Sequence, residues 1–277
     1  MTTIDGTRPA EVTSQVAPRR LATWFVVLWS LWAGSLLAAI AAGNMLGHSA
    51  PLATWLRMAS SVVLVATAWF AAYVWRTRAV GRFATCIAIG MTLGTIGDFF
   101  NAGLLDFVPL SSGTLGGIAA FGLGHVAYIA GAVYLARKAH FTNRRALVAS
   151  IVGWQVFAVV AWYLVVFQGS EHRDLIWPAL VYSLLLAGTA GIATGLAAQD
   201  SRLWPFGLGA ALFLLSDFLL AFELFRGPFA FQTECVWLTY GPGQMFIVFS
   251  TIGAALVLGA QAQRAEIARD PRGKLVG

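Results

Sequence analysis

Eight stretches of about 20 mostly apolar residues follow one another along this chain, each long enough to cross roughly 30 Å of hydrocarbon as a helix. They fall at about 21–45, 52–75, 80–104, 115–136, 146–167, 175–197, 203–225 and 236–260. A backbone in lipid must satisfy its own N–H and C=O groups, which leaves helices and closed barrels, and barrels are built from short alternating strands rather than unbroken runs. The sequence therefore predicts an all-α integral membrane protein, an eight-helix transmembrane bundle. Composition agrees, because only 11% of residues are charged, against roughly a quarter in soluble domains. Lysine occurs only at Lys138 and Lys274, so no buried amine is available for a retinal-type Schiff base. The two cysteines, Cys86 and Cys235, exclude a disulfide scaffold. The scattered histidines His48, His125, His140 and His172 lack metal-ligand spacing. No metal and no cofactor are expected.

Basic residues collect on one side of this arrangement. Arg8, Arg19 and Arg20, then Arg76, Arg78 and Arg82, then Arg137, Lys138, Arg144 and Arg145, then Arg202, and finally Arg264, Arg269, Arg272 and Lys274 make fifteen of the eighteen basic residues. The other side holds only Arg57, Arg173 and Arg226. The positive-inside rule then predicts a multi-pass protein of the cell membrane with both termini cytoplasmic. The net charge of +6 reads as a basic face against anionic lipid headgroups, not as a nucleic-acid surface. Nothing in the chain points to a protein partner. The first apolar run exceeds the usual 7–15 residues of a signal peptide, so it is expected to be retained as a span. Residues 1–18 and 262–277 are expected to be cytoplasmic tails around a single membrane domain at 19–261.

A polar pattern recurs at an offset of 119 residues. Gly97-Asp98-Phe99 falls on Ser216-Asp217-Phe218, Phe121-Gly-Leu-Gly-His125 falls on Tyr240-Gly-Pro-Gly-Gln244, and Gly90 falls on Gly209. Matched rare polar residues are costly to obtain by chance in an apolar chain. The expectation is two parallel four-helix repeats, at about 20–138 and 144–260, related by an axis along the membrane normal.

An intramembrane carboxylate points to function by default, because burying its charge in hydrocarbon costs several kcal/mol. Asp98 and Asp217 are well inside. At 1.5 Å per residue they lie about 9 and 12 Å from the non-cytoplasmic ends of their helices. Tyr240, Gln244, His125 and Arg57 fall in the same half of the bilayer. His125 and Tyr128 share a helix face, as do Tyr240 and Gln244, and Asn101 sits one turn beyond Asp98. Glycines at 94, 97, 122, 124, 241 and 243 read first as close helix packing. Five helices thus converge on one polar pocket open to the non-cytoplasmic side. Two carboxyls close together in a dry site cannot easily both ionise, so the pair offers an acid and a base. That suits hydrolysis through an oxocarbenium-like species. No Gly-x-Ser-x-Gly elbow supports a serine hydrolase.

These blocks, Gly97-Asp98 through Phe121-Gly-Leu-Gly-His125-Val-Ala-Tyr128 and Gly209 through Ser216-Asp217 with Leu238-Thr239-Tyr240-Gly-Pro-Gly-Gln244, resemble the YhhN-type lysoplasmalogenase family over about spans two to eight. The resemblance implies an eight-span hydrolase that cleaves the vinyl ether bond of lysoplasmalogens to a fatty aldehyde and a glycerophospho-alcohol. Its substrate partner would be a lysophospholipid in the bilayer. It implies Asp98 and Asp217 as the catalytic pair, with His125, Tyr128, Ser216, Tyr240 and Gln244 binding or orienting substrate. Arg57 and Asn101 are added from their depth and spacing. Where the family usually reads Lys-Pro near the start of span two, this chain reads Arg57-Met58, which presents the charge differently and leaves the headgroup open.

Two other functions use similar parts. A proton-coupled transporter of a small amphipathic solute also places carboxyls within the membrane. An intramembrane aspartyl protease also uses two aspartates on facing helices. For the protease, the chain has Gly94-x-x-Gly97-Asp98 instead of Gly-x-Gly-Asp, and Pro178-Ala179-Leu180 precedes the second aspartate instead of following it.

Overall fold

A computed structural model describes residues 9–108, 113–169 and 171–269. Its helices are α1 (Pro9–Leu46), α2 (Pro51–Val74), α3 (Gly81–Asn101), α4 (Gly113–Lys138), α5 (Arg144–Trp162), α6 (Ile176–Ala197), α7 (Trp204–Arg226) and α8 (Gln232–Arg269). All eight are long and apolar enough to cross a membrane, and no strand occurs among the described residues. α1 begins at Pro9 and α8 continues to Arg269, so both helices run into segments read from sequence as tails. Past Leu258, the run Gly259-Ala-Gln-Ala-Gln-Arg-Ala-Glu266 is polar but rich in strong helix formers, so loss of hydropathy does not end the helix. The remaining tail residues, 1–8 and 270–277, lie outside the described residues.

Local chemistry sets the helix ends. Proline stands in the first turn of α2 and of α7, where its missing N–H is not needed. The Asn143 side chain accepts from the Ala146 N–H at 3.0 Å and caps α5. α4 closes at His140, which takes a left-handed φ of 49° while the Phe141 N–H reaches back to the Ala136 carbonyl at 3.2 Å, as C-terminal caps do. α5 ends in a π-helical turn, Tyr163–Phe167. Arg226 Nε donates to the Val165 carbonyl at 3.2 Å and its Nη2 donates to the Leu164 carbonyl. The guanidinium thereby satisfies acceptors at the frayed turn.

The tightest helix pairs are α3/α4 and α7/α8, and glycine explains both. A Cβ on Gly124 would lie 3.0 Å from the Gly90 carbonyl, and one on Gly90 would collide with the Tyr128 ring. A Cβ on Gly243 would lie 3.1 Å from the Gly209 carbonyl, and one on Gly209 would lie 2.8 Å from the Ile247 nitrogen. Gly90 and Gly209, Gly124 and Gly243, and Tyr128 and Ile247 are related by the 119-residue offset seen in the sequence, so the two crossings use equivalent positions. α8 also touches α1, α2 and α3, whereas α5 rests on the outside of α6.

Packing is uneven along the helix axes. The end carrying the basic connections is filled by Phe83, Ile87, Leu135, Phe206, Phe213 and Ile247, all buried. The opposite end has a smaller cluster of Val165, Val166, Leu175 and Phe225, and beside it the bundle is hollow.

Candidate active site

The hollow is a cavity of about 420 Å³, within the range of small-molecule sites, lined by α2 to α8 and by the α1–α2 connection. Asp98 and Asp217 both line it. Its remaining polar lining includes His48, Thr54, Arg57, Asn101, Tyr182, Ser216, Glu223 and Tyr240, with an apolar wall from α5, α6 and α7. α3 and α7 make no extensive contact with each other; they meet at this space.

Asp98 is only 6% exposed. The Ser61 hydroxyl of α2 donates to its Oδ2 at 2.7 Å, and Tyr240 of α8 lines the cavity with it. Gln244, one turn further along α8, donates its Nε2 to the Tyr240 oxygen. Gln244 thus fixes the hydroxyl of a tyrosine that shares the cavity with Asp98. Asp217 is half-buried and accepts the hydroxyl proton of Tyr182 from α6. The two aspartates interact electrostatically. Each carboxyl is thus held by a hydroxyl from another helix, Asp98 by Ser61 and Asp217 by Tyr182. Fixed donors of this kind hold a buried carboxyl in one orientation.

The model of the YhhN family matches residues 52–251. The chain belongs to the YhhN family. The matched stretch runs from the start of α2 well into α8 and takes in both aspartates and every hydroxyl that holds them. YhhN membership supports a lysoplasmalogenase-type membrane protein. No curated protein and no solved structure matches the chain.

The other residues singled out in this YhhN sequence fall into two groups. Arg57, Asn101, Ser216 and Tyr240 line the cavity with the aspartates. Arg57 sits at the rim, where its Nη2 donates to the His48 carbonyl at 2.5 Å and to Thr54 Oγ1 at 3.3 Å, and its guanidinium lies over the Trp237 ring at 5.7 Å. Among the described residues no carboxylate neutralises it. Ser216 donates to the Val236 carbonyl at 3.2 Å, which ties α7 to α8 beside Asp217.

His125, Tyr128 and Gln244 stand behind the cavity wall. His125 is 1% exposed; its Nδ1 lies 3.0 Å from Thr189 Oγ1, and its ring packs edge-on against Tyr182 and Phe213. Its Nε2 and the Tyr128 hydroxyl are buried without hydrogen-bond partners. Gln244 reaches the site only through Tyr240.

Sequence reasoning passed over Ser61 and Tyr182. Both left a signal. Ser61 is four residues after Arg57 and shares its helix face, and Tyr182 lies about 9 Å along its helix from Ile176, the same depth range as the aspartates.

Proposed function

We propose that this YhhN protein hydrolyses the vinyl ether bond of a lysoplasmalogen-like lysophospholipid, with Asp98 and Asp217 as an acid and base pair. The observation that carries this reading is that both carboxyls share one amphipathic cavity, with a guanidinium at the rim and an apolar wall inside. A single-chain lipid has that same sequence of parts: a charged headgroup, a polar linkage and a hydrocarbon chain. Arg57 is suited to a phosphate oxygen, because guanidinium and phosphate pair through charge-assisted hydrogen bonds.

In the proposed mechanism one carboxyl, protonated, delivers its proton to the alkene carbon remote from the ether oxygen. The π electron pair forms the new carbon–hydrogen bond and leaves the other carbon electron-deficient; a lone pair of the ether oxygen fills it to give an oxocarbenium ion, which the negative charge of the second carboxylate stabilises. That carboxylate then takes a proton from water as the water oxygen bonds to the oxocarbenium carbon, giving a hemiacetal. Collapse breaks the carbon–oxygen bond to glycerol, leaving a fatty aldehyde and a glycerophospho-alcohol. One water is consumed, and the protons return to the pair. Ser61 and Tyr182 hold the carboxyls in line, and Gln244 holds Tyr240.

The proposed setting is the cell membrane, with both termini cytoplasmic and the cavity facing the other side, as the distribution of basic residues supports. The test is to incubate purified protein in detergent with vinyl ether, alkyl ether and ester lysolipids and to measure aldehyde and fatty acid. Aldehyde from the vinyl ether alone is expected. Fatty acid release from the esters, or no turnover of any lipid, would overturn the reading, the latter in favour of transport, which needs two compartments.

A further inference from the structure

The cavity has a side as well as a mouth. On α6 it is floored by Ala179, Ser183 and Leu186, spaced to share one helix face. α5 and α7 stand on either side of that floor. α5 packs on α6 and α6 on α7, but α7 contacts the α5 strand of chain extensively only at its π-helical turn, where Arg226 fastens the two. Away from that clamp, the gap is bridged by a ring contact between Phe157 and Phe218 at 6.4 Å. Phe157 is 45% exposed and Leu220 36% exposed, and both line the cavity. At this seam the only ring contact between the two helices is that of Phe157 and Phe218 among the described residues. The surface beside it is apolar, because α5 buries only Ala158 and turns Val152, Val156 and Val160 outward.

We infer that the groove between α5 and α7, floored by α6, is the site of the hydrocarbon chain of a single-chain amphiphile, which enters sideways from the bilayer past Phe157 and Phe218. The inference rests on the proposed function for its choice of ligand. The groove is continuous with the space at Asp217, and the neighbours of that aspartate along α7, Phe218 and Ala221, form its wall. Arg57 lies across the cavity on α2. An amphiphile with its chain in the groove and its headgroup toward Arg57 puts the linkage between them at the aspartates. A hydrocarbon chain leaving the bilayer through this seam stays in apolar surroundings throughout, so it does not pay the cost of crossing water.

The experiment uses the full chain in detergent and a series of saturated alkyl ether lysolipids of increasing chain length, which the proposed reaction cannot cleave. Binding is read by competition with a fluorescent long-chain member of the series. In the wild type, affinity is expected to rise with each methylene that packs into the groove and to level off once the groove is full, by less than the roughly fourfold per methylene of a transfer from water, because detergent already surrounds the chain. Ala161→Phe and Ala221→Phe, which fill the groove from α5 and from α7, should weaken long-chain binding at least tenfold and flatten the dependence on length. Val152→Phe, outside the cavity, should leave both unchanged. Ala161→Leu and Ala221→Leu give the same reading in smaller steps if the Phe variants do not yield folded protein. A photoreactive group at the chain end should label peptides from α5 and α7. Labelling confined to other helices, or an unaltered length dependence in folded filled variants, overturns the inference. Because the probes are not substrates, this outcome is independent of aldehyde release: a chain-length effect without any vinyl ether hydrolysis would remove the proposed reaction and leave the groove.

Discussion

The Ser61 hydroxyl of α2 donates to Asp98 Oδ2 of α3 at 2.7 Å, so the more deeply buried aspartate is oriented by a hydroxyl that cannot serve Asp217. Asp217 has its own donor in Tyr182. The two carboxyls are therefore held separately while facing one space, an arrangement in which they can take different roles. Ser61→Ala is expected to lower the rate of aldehyde release about tenfold, the worth of a hydrogen bond to a charged group at its lower limit. An unchanged kcat in a folded S61A protein would show that the Ser61 hydroxyl does not set the working orientation of Asp98.

Replacing either aspartate with asparagine keeps the shape and removes the proton chemistry. Each single variant should lose roughly 10²–10⁴-fold in kcat. The double variant should lose little more than the worse single one, because residues acting as a unit are not additive. The pH profile of the wild type should belong to the pair and not to either residue. Near wild-type aldehyde release from folded Asp98→Asn and Asp217→Asn proteins would make the pair structural.

Tyr182→Phe and Tyr240→Phe each remove one hydroxyl from a ring that stays packed. Both are expected to lower kcat by about tenfold to a hundredfold. Gln244→Leu, which acts only through Tyr240, should lower it less, and Tyr240→Phe in the Gln244→Leu background should cost no more than Tyr240→Phe alone. Additive losses in that cycle would show that Gln244 acts on the site by another route.

The α7/α8 crossing leaves no space for a methyl group. A Cβ on Gly209 would lie 2.7 Å from the Gly243 carbonyl and 2.8 Å from the Ile247 nitrogen, both backbone atoms, whereas one on Gly34 would meet nothing within 4 Å. Gly209→Ala should destabilise the protein by about 1–3 kcal/mol through overpacking. Gly34→Ala should be neutral or add about 0.5–1 kcal/mol, since alanine is the better helix former. Thermal unfolding in detergent reads both, and equal melting of the two variants would contradict the close crossing.

Asp200 lies between α6 and α7. It accepts from Arg202 Nε at 2.9 Å, from Arg202 Nη2 at 2.6 Å and from the Arg202 backbone N–H at 3.0 Å, and the side-chain bonds from Arg202 hold its carboxyl below the usual carboxylate range. A depressed carboxyl contributes stability that is fully present above the unfolded value near pH 4 and is lost as pH falls through the lower folded value. Asp200→Ala should cost about 1 kcal/mol at neutral pH as a lost cap. Asp200→Asn, which keeps the cap, should cost less, in keeping with a solvent-screened ion pair. The gap between wild type and D200A should close in acid, as followed by unfolding at a series of pH values.

Much of this molecule could be read in one dimension. Span number and position follow from the length of each apolar run, because a helix rises by a constant amount per residue and lipid allows no other open-ended backbone. The same constant rise puts Asp98, Asp217, Tyr240 and Arg57 at similar depths, and all four line one cavity. Gly124 and Gly243 were read as sites of close helix packing, but the helices that meet there were not. Depth along a helix does not determine the direction in which a side chain points across the bundle, and that direction decided the rest. His125 and Gln244 have the right depth but face the packed wall, while Ser61 and Tyr182 were passed over and hold the aspartates. The groove was not legible either, because it arises where α5 and α7 stand apart with one ring contact between them, and a gap between helices depends on the shapes of both and on what pins their ends. The sequence alone determined that eight helices cross the membrane with two carboxyls at similar depth. Only tertiary packing, which sets helix neighbours and rotation, decided which hydroxyls hold those carboxyls and where a chain can lie beside them.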